Sequence, residues 1–514
     1  MSDSVINHIA AQAPSPGGHI SFFRLGGTRT MELTDLHTRA GRLALWLRDL
    51  GIERGDRIGI LAPNGLAWVL LDLAAIRLGA VTVGFDPAKF DTDTGLRERY
   101  RLGVLFTDGP PQAPGSRALA EIEVAAALPD DGRVLAPVVY TPDDVLSLKL
   151  TSGSTGEPKT LTASVGSIDD DLRSVQEMFA HGGEDNLLVF LPLSVLQQRY
   201  WTYSALRWGH DVTICTYEAA FPALRAIRPT VVMGVPGFFE TARKHIEARM
   251  RGADTGEATA RRDGARRLFG DRIRYLWTGS APASTGTLAF FEDAGLPIFE
   301  GYGLNETCIV TKNHPGAHRR GSVGRVLPGK QVILDAEGVI HVRAEHPVCT
   351  GYEQAPPGVS ERVFAPDGTV RTNDIGRLDE DGFLYVHGRA DDVIVLDNGR
   401  KIVVRPLEER MKAGPAIEEC VVFCPTQTRL VAVVSPAADA SGPDLERAVA
   451  EQLAHTNAAF GPDEQIRAVV VADPRFSVGN GLLTSQLKPR RGRILDAYRS
   501  RIHDTEGGIH AVRD

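Results

Sequence analysis

The chain has 514 residues, a length typical of about three or four structural units at roughly 100–200 residues per domain. Hydrophobic residues make up 43% and charged residues 24%, which is an ordinary composition for a globular protein. With 57 Lys+Arg against 65 Asp+Glu, the net charge of -8 argues against a dedicated nucleic-acid-binding protein, which usually carries a basic excess.

The predicted elements begin with an amphipathic helix that Thr34 would cap and Gly51 would end. Short continuous apolar runs follow at 57–62, 104–107, 187–191, 212–215, 231–233 and 275–277. Such runs, separated by stretches with helical spacing, predict parallel strands covered on both faces by helices. In such sheets, ligands gather at the carboxyl ends of the strands. The Gly-, Ala- and Arg-rich segment 251–264 predicts a mobile surface loop.

The pattern changes after about residue 320. Segments 338–343 and 382–387 alternate in polarity, which predicts antiparallel strands. A smaller α+β unit is predicted after Arg389, with strands at 420–424, 430–434 and 468–471 and a helix that begins near Pro443. The fold class is therefore α/β and α+β, with a large N-terminal region of parallel-rich sheets and a β-rich subdomain, followed by a small α+β C-terminal domain.

The cysteines, the N-terminus and the most apolar segment indicate in which cellular compartment we expect the protein. The five cysteines are too sparse for a disulfide scaffold and show no zinc-ligand spacing, so we expect small buried side chains in a reducing compartment. The N-terminus lacks the basic and apolar segments of a signal peptide. The most apolar segment, 68–85, contains Asp72 and Arg77, which predicts a buried helix and strand instead of a membrane span. We expect a cytoplasmic protein with no integral membrane segment.

The strongest local signal is the segment 151–160, Thr-Ser-Gly-Ser-Thr-Gly-Glu-Pro-Lys-Thr, which follows a predicted strand at 146–150. Small hydroxyl residues and glycines allow backbone N–H and side-chain O–H groups to surround an anion, and Lys159 adds a point charge for a phosphate oxygen. A Walker A loop would require Gly where this chain has Pro158, which argues against a P-loop NTPase. The segment predicts a triphosphate-binding loop.

Segment 151–159 resembles the phosphate loop of the adenylate-forming superfamily, which includes acyl-CoA synthetases, luciferases and the adenylation domains of peptide synthetases. Further segments resemble motifs of that family in the same order. They are 277–282 (adenine-site strand and turn), 299–306 (aromatic–glycine–acid motif), 371–374 (ribose-binding Asp motif), 388–392 (hinge motif) and 480–488 (C-terminal lysine motif). The lysine motif has the form found in long-chain fatty acyl-CoA synthetases.

The resemblance implies an ATP site formed by these motifs. Lys488 would be the catalytic lysine, and Glu306 would be a catalytic residue that binds Mg²⁺. Tyr302 would stack on adenine, while Asp374 and Arg389 would hold the ribose. The other residues expected to bind ATP are Thr151, Ser152, Gly153, Ser154, Thr155, Gly156, Lys159, Ser280, Ala281, Glu300, Gly301, Gly303 and Asn305.

The resemblance also implies a moving C-terminal domain. An N-terminal ATP- and acyl-binding domain would span residues 1–388, and a mobile C-terminal domain would span 389–514. Asp391 would be the hinge at which the small domain rotates between acid activation and thioester formation, and Gly399 would line the tunnel for the thiol.

The expected acyl pocket departs from the family pattern. Its residues would be Val195, Trp201, Gly234, Val235 and Gly279. Val195 and Gln198 stand where the long-chain enzymes usually have His and Glu, which predicts a more apolar and roomier pocket wall. Asn305 replaces a usual Thr but can still donate to a phosphate oxygen. The chain has no Asp near 193–196 to hold an α-amine, which disfavours an amino-acid substrate.

These observations predict an acyl-CoA synthetase that activates a hydrophobic, bulky carboxylic acid through acyl-AMP and transfers it to coenzyme A. ATP and Mg²⁺ would be required, and the enzyme would be a monomer or homodimer without nucleic-acid partners. One alternative is an acyl-AMP ligase that loads an acyl carrier protein. A second, from another class, is a catalytically inactive nucleotide-binding homologue.

Overall fold

The structure is a computed structural model, and it describes residues 4–90, 93, 95–109, 115–129, 131–151, 158–250, 256–398, 400–438, 440–484, 488–504 and 508–510. The helices are α1 (Val5–Ala11), α2 (Leu33–Asp49), α3 (Leu66–Leu78), α4 (Pro87–Phe90), α5 (Leu96–Arg99), α6 (Ala120–Ala126), α7 (Val165–Phe179), α8 (Leu196–Trp208), α9 (Ala220–Ile227), α10 (Pro236–Met250), α11 (Glu257–Phe269), α12 (Thr285–Asp293), α13 (Arg405–Lys412), α14 (Gly442–Asn457) and α15 (Arg491–Asp504). Short 3₁₀ helices cover Ala390–Asp392 and Pro462–Glu464.

The strands before residue 320 are β1 (His19–Arg24), β2 (Gly27–Glu32), β3 (Arg57–Leu61), β4 (Val81–Phe85), β5 (Val104–Thr107), β6 (Ser116–Ala118), β7 (Val145–Thr151), β8 (Lys159–Ser164), β9 (Asn186–Val189), β10 (Asp211–Ile214), β11 (Val231–Gly234), β12 (Tyr275–Thr278), β13 (Ile298–Leu304) and β14 (Cys308–Lys312). The later strands are β15 (Arg325–Val326), β16 (Lys330–Leu334), β17 (Val339–Ala344), β18 (Tyr352–Glu353), β19 (Val370–Leu378), β20 (Leu384–Arg389), β21 (Val393–Val395), β22 (Lys401–Val403), β23 (Ile417–Phe423), β24 (Leu430–Pro436), β25 (Ile466–Val471) and β26 (Gly508–His510).

Two large sheets form the N-terminal region. Within the described residues, one sheet has the order β15-β14-β13-β12-β11-β9-β10-β1-β2 and the other has the order β18-β8-β7-β4-β3-β5-β6. Their central strands are parallel, as the continuous apolar runs predict. The runs are apolar throughout because helices cover both faces of the sheet and leave neither face for solvent. The segment 68–85 is a buried helix and strand, α3 and β4, as predicted.

Smaller sheets complete the fold. The antiparallel sheet β16-β17-β19-β20 contains the two predicted alternating segments. The C-terminal unit has the sheet β23-β24-β25-β26, and its predicted strands and the helix α14 all form. All five cysteines are free thiols. The α/β and α+β fold class is therefore confirmed.

Two local predictions were wrong. Helix α2 begins at Leu33, whose N–H donates to the carbonyl of Gly18 (3.0 Å), so the chain turns into the helix directly after β2. The hydroxyl of Thr34 donates to the carboxylate of Glu32 (3.0 Å) and does not cap the helix. Residues 257–264 form the first part of α11 instead of a loop. This helix is stable because its later residues Leu268 and Phe269 are buried in the core; residues 251–255 lie outside the described part of the chain.

A buried ion pair joins the helices of the two large sheets. Arg199 lies on α8, beside the nine-stranded sheet, and Asp72 lies on α3, beside the seven-stranded sheet. Their side chains are 2% and 5% exposed and are 3.1 Å apart. The Arg199 guanidinium also donates to Thr82 (2.8 Å) and Ser147 (3.0 Å), on β4 and β7. The Arg199 guanidinium therefore bonds to α3, β4 and β7, which all belong to the seven-stranded sheet or the helix packed on it.

We expect Asp72→Asn to lower the free energy of unfolding by about 3–5 kcal/mol, because the substitution leaves the Arg199 guanidinium buried without its counter-charge. Urea unfolding followed by tryptophan fluorescence measures the change, since all five tryptophans precede residue 388. The control is Asp49→Asn, which breaks a 2.8 Å pair with Arg133 that is about half exposed and should change stability by at most about 1 kcal/mol. Equal losses in the two variants would contradict the role of the buried pair.

Candidate active site

The phosphate-loop segment joins two paired strands. β7 ends at Thr151 and β8 begins at Lys159, and these two residues are cross-strand partners. The predicted ATP-binding residues between them, Ser152, Gly153, Ser154, Thr155 and Gly156, lie outside the described residues. The ammonium group of Lys159 lies 4.7 Å from the ring centroid of Tyr352, within the range of a cation–π contact.

The turn after β12 carries the predicted residues Gly279, Ser280 and Ala281. Ser280 has φ 68°, in the left-handed region that non-glycine residues seldom adopt. Its backbone carbonyl accepts a hydrogen bond from the Lys488 ammonium group at 3.0 Å, although 208 positions separate the two residues in sequence. The C-terminal lysine therefore lies next to the turn at the carboxyl end of β12.

The β13–β14 hairpin carries the aromatic–glycine–acid motif. Gly303 is required by packing, because a Cβ there would lie 1.8 Å from the carbonyl oxygen of Cys308 on the facing strand. At Gly301 a Cβ would come within 2.9 Å of Lys312. The two glycines allow the hairpin strands to approach closely, which aligns Tyr302 between them.

Tyr302, Asp374 and Arg389 form one hydrogen-bonded group. The Tyr302 hydroxyl donates to Asp374 (2.7 Å), and the Arg389 guanidinium donates to its other carboxylate oxygen (3.2 Å). Burial raises the pKa of Asp374, while these two partners oppose the shift. The pKa of Lys488 is lowered by desolvation and by the nearby positive charge of Arg389, and Asp374 opposes this shift. The structure therefore brings four predicted residues together, across both parts of the chain.

Glu306 lies at the end of the same hairpin and accepts a hydrogen bond from the Tyr352 hydroxyl at 2.7 Å. Because Lys159 packs on the ring of Tyr352, this tyrosine connects the phosphate-loop lysine with the predicted metal ligand. Sequence analysis missed Tyr352. It lies 46 positions from Glu306 and belongs to the short strand β18, so no periodic pattern marks it.

Glu300 and Arg405 form a second charged group close to Asp374. Burial raises the pKa of Glu300 to about 7, and the positive charges of Lys312 and Arg405 act against that shift. Burial lowers the pKa of Arg405, and the carboxylates of Glu409, Asp374 and Glu300 oppose this effect. Arg405 begins α13 of the C-terminal unit and was missed by sequence analysis, because it lies outside every recognised motif.

The residues predicted for the acyl pocket occupy different environments. Gly234 ends β11, and a Cβ there would lie 2.8 Å from the Phe238 ring, so a larger residue would have to displace that ring. Val235 follows it and is half-buried, while Gly279 follows β12, the strand adjacent to β11. Trp201 is buried in the core with its ring centroid 5.1 Å from that of Trp277. Val195, which precedes α8, is 44% exposed.

Asn305 and the hinge residues complete the predicted set. The backbone carbonyl of Asn305 accepts a hydrogen bond from Lys149 (2.7 Å). Asp391 lies in the 3₁₀ helix after β20 and accepts a hydrogen bond from the Asn373 side chain at 2.5 Å. Gly399 lies outside the described residues.

The order of the motifs along the chain and the overall fold agree with those of known proteins. A family model described as AMP-binding enzyme matches residues 9–347, and a second, described as AMP-binding enzyme C-terminal domain, matches 391–505. The chain belongs to the AMP-binding, adenylate-forming enzyme family. The resemblance stated from the motifs is confirmed, and so is the expectation of an AMP-forming acid–thiol ligase.

Several members of the family are similar to this enzyme over most of its length. A long-chain-fatty-acid–CoA ligase, FadD15 of Mycobacterium bovis, is 27% identical over 89% of both chains. A carboxylic acid reductase of Mycobacterium tuberculosis is 28% identical over 92% of this chain and 46% of its own length. The crystal structure of ATP-bound MatB from Rhodopseudomonas palustris superposes with a TM-score of 0.78 at 20% identity, over 98% of this chain and all of that one. At this identity the superposition establishes the fold.

No helix among the described residues of this family member is long and apolar enough to cross a membrane. The same residues contain no group of three or more His, Cys, Asp or Glu side chains arranged to hold a metal ion. A metal site made of protein side chains alone is therefore not seen in this part of the chain.

The raised pKa of Glu300 predicts a pH-dependent stability difference between the enzyme and its Glu300→Gln variant. A carboxyl group whose pKa rises from 4.5 to about 7 on folding destabilises the folded state as pH rises through that interval. The variant should therefore gain up to about 3 kcal/mol relative to the unmodified enzyme between pH 4.5 and 7.5. Urea unfolding by tryptophan fluorescence measures the gain. Glu184→Gln, at an exposed position, should show no such trend, and a pH-independent difference for Glu300→Gln would refute the prediction.

Proposed function

We propose that this enzyme uses ATP to activate a hydrophobic carboxylic acid as acyl-AMP and then transfers the acyl group to coenzyme A. The observation that supports the proposal most directly is the position of Lys488. Its ammonium group reaches the Ser280 carbonyl of the large region and is electrostatically coupled to Asp374 and Arg389. A cation at this place can stabilise the negative charge that develops between the carboxylate and the α-phosphate.

The described side chains suit a nucleotide. Asp374 is an ionisable acceptor held by two donors, Tyr302 and Arg389, and a carboxylate of this kind can accept hydrogen bonds from both ribose hydroxyls. The aromatic face of Tyr302 suits an adenine ring. Lys159 would neutralise phosphate charge at the mouth of the phosphate loop.

Glu306 fits a magnesium ion that is shared with the triphosphate. Mg²⁺ prefers oxygen ligands and is commonly held by one or two carboxylates together with substrate phosphates. Glu306 supplies one carboxylate, and the Tyr352 hydroxyl orients it. When bound, the ion would neutralise charge on the phosphates.

In the first half-reaction, an oxygen of the carboxylate attacks the α-phosphorus of ATP, and pyrophosphate leaves. Catalysis of such a step depends on positioning and on charge neutralisation, and Lys488 supplies a positive charge for it. In the second half-reaction, a thiolate attacks the acyl carbon of acyl-AMP, and AMP leaves. The thiol proton passes to solvent or to a base.

We further propose that the chain divides into a large domain, 1–388, and a small domain, 389–514, with Asp391 at the hinge. The contact between Lys488 and the Ser280 carbonyl supports a conformation suited to acid activation. Thioester formation would require the lysine segment to leave. The acid would enter beside Gly279, where an added Cβ would meet no atom closer than 3.5 Å, and Val195 would contribute an apolar wall.

We expect Lys488→Met to reduce acid-dependent ATP–pyrophosphate exchange by about 10²–10³-fold, a typical effect of removing one group that stabilises transition-state charge. ATP binding, measured by calorimetry, should change little. Arg490→Ala is the control, because Arg490 is exposed in the same segment and its loss should leave exchange near the unmodified rate. Unchanged exchange in Lys488→Met would contradict the proposed catalytic role.

A product assay on the unmodified enzyme identifies the acid substrate and the thiol acceptor. The enzyme is incubated with ATP, Mg²⁺, coenzyme A and a mixture of fatty, aryl and polycyclic acids, and the products are analysed by mass spectrometry. An acyl-CoA product supports the proposal. Acyl-AMP that accumulates without a thioester would indicate a carrier-protein acceptor instead, and absence of both products with every acid would favour an inactive homologue.

A disulfide can test whether the small domain must move. A Cβ at Gly388 would lie 3.5 Å from the Cβ of Arg405, which is within the range for a disulfide and joins residues on the two sides of Asp391. We expect the oxidised Gly388→Cys/Arg405→Cys variant to form acyl-AMP but to form the thioester about tenfold or more slowly. Reduction by dithiothreitol should restore the rate of thioester formation to that of the control, a sample of the same variant kept in dithiothreitol throughout. Equal thioester rates in a cross-linked and a reduced sample would contradict the rotation.

A further inference from the structure

Two buried lysines bind the backbone on either side of Glu306. We call residues 305–307, between β13 and β14, the Glu306 turn. The ammonium group of Lys149 donates to the carbonyl of Asn305 at 2.7 Å. The ammonium group of Lys330 donates to the carbonyl of Thr307 at 3.0 Å and also to the carbonyl of Ile309. The peptide group that precedes Glu306 and the peptide group that follows Thr307 are thus each held by a positive charge.

Both ammonium groups are withdrawn from solvent, which is unusual for lysine. Lys149 is 4% exposed. The side chain of Lys330 is 3% exposed and forms a 2.7 Å ion pair with Asp171, on α7, whose side chain is fully buried. Stability alone does not require such a charge, because apolar side chains of similar volume can replace both partners of a buried pair such as Lys330 and Asp171 at no greater energetic cost. The specific contribution of the lysines is therefore the donation to selected carbonyl groups.

Lys149 connects the Glu306 turn to β7, the strand that precedes the phosphate-loop segment. It lies on β7, two positions before Thr151, where that loop begins. β7 belongs to the seven-stranded sheet, whereas β13 and β14 belong to the nine-stranded sheet. The contact between Lys149 and Asn305 therefore sets the distance between two sheets at the point where phosphate and carboxylate would meet.

Lys330 and Asp171 restrain the turn from another direction. Lys330 begins β16, and Asp171 lies within α7, the helix that follows β8. The carboxylate of Asp171 also accepts a hydrogen bond from the backbone N–H of Ile309 (3.4 Å). The ion pair thus bonds both the carbonyl and the N–H group of one residue of β14, which limits rotation of the hairpin.

We propose that Lys149 and Lys330 are positioning residues that fix the Glu306 carboxylate relative to Thr151, at the end of β7, and so determine the affinity of the site for Mg²⁺. This inference rests on the proposed role of Glu306 as a magnesium ligand. Mg²⁺ requires nearly ideal octahedral geometry, so a small displacement of its carboxylate weakens binding. Groups that orient a metal ligand typically affect metal affinity by about 10–100-fold.

The test compares Lys149→Met and Lys330→Met with Glu306→Gln. Methionine keeps an unbranched side chain as far as Cε and removes the ammonium donor. The measurement is the Mg²⁺ concentration that gives half-maximal ATP–pyrophosphate exchange at saturating ATP. We expect each of the three substitutions to raise this concentration by about tenfold or more, with a smaller effect on ATP binding measured in the presence of EDTA.

Lys312→Met is the matched control. Lys312 is fully buried on β14, and its ammonium group donates to a backbone carbonyl, that of Phe299 (2.8 Å), away from the Glu306 turn. Its loss should reduce stability as the other lysine substitutions do, but leave the half-saturating Mg²⁺ concentration unchanged. Lys149 and Lys330 are replaced separately, and Asp171→Asn provides a third variant should either fail to fold.

The outcomes separate this inference from the proposed function. If Glu306→Gln raises the Mg²⁺ requirement but the Lys149 and Lys330 variants behave as Lys312→Met does, the positioning role is overturned and the role of Glu306 stands. If Glu306→Gln itself leaves the requirement unchanged, the metal role fails, and the positioning inference fails with it. A raised requirement in Glu306→Gln and in the two lysine variants, with Lys312→Met unchanged, supports both.

Discussion

The geometry of the candidate site depends on how the two large sheets are held against each other. The buried pair between Arg199 and Asp72 joins α8 of one layer to α3 of the other, and the same guanidinium bonds Thr82 and Ser147. A buried charge of this kind is stable only with its partners in place, so it tolerates one relative position of the layers. β7, which leads into the phosphate-loop segment, belongs to one sheet, and the β13–β14 hairpin that carries Glu306 belongs to the other. The distance between strand and hairpin therefore follows from that position.

The residues of the site come from distant parts of the chain and are joined by polar contacts. Asp374 receives bonds from Tyr302 and Arg389, while Tyr352 connects Glu306 with Lys159. Long-range hydrogen bonds of this kind specify geometry because each misplaced donor or acceptor would be left unsatisfied in a partly buried region. The site is therefore a consequence of tertiary packing. Burial shifts the pKa values of Glu300, Asp374 and Lys488 more than any single neighbouring group does.

Sequence patterns predicted most of the elements and many of the residues that the structure brings together. The apolar runs marked the central strands, and the motifs marked Lys488, Tyr302, Asp374 and Arg389, which meet in the structure. The errors were local. Thr34 has the chemistry of a helix cap, but the preceding strand already directs the chain into α2. The composition of 257–264 suggests a loop, but burial of the apolar face of α11 stabilises a helix there.

The sequence by itself determined the family, the order of elements and the residue types available for binding a nucleotide. These properties follow from near neighbours along the chain, which repeat with the period of a helix or strand or stand at fixed spacing in a loop. Only the tertiary structure decided that Tyr352 orients Glu306, that the charges of Glu300 and Asp374 act on the pKa of Arg405, and that Lys149 and Lys330 hold the Glu306 turn. Those contacts join residues that are far apart in sequence. Their formation depends on how whole sheets and domains pack, so no local sequence pattern predicts them.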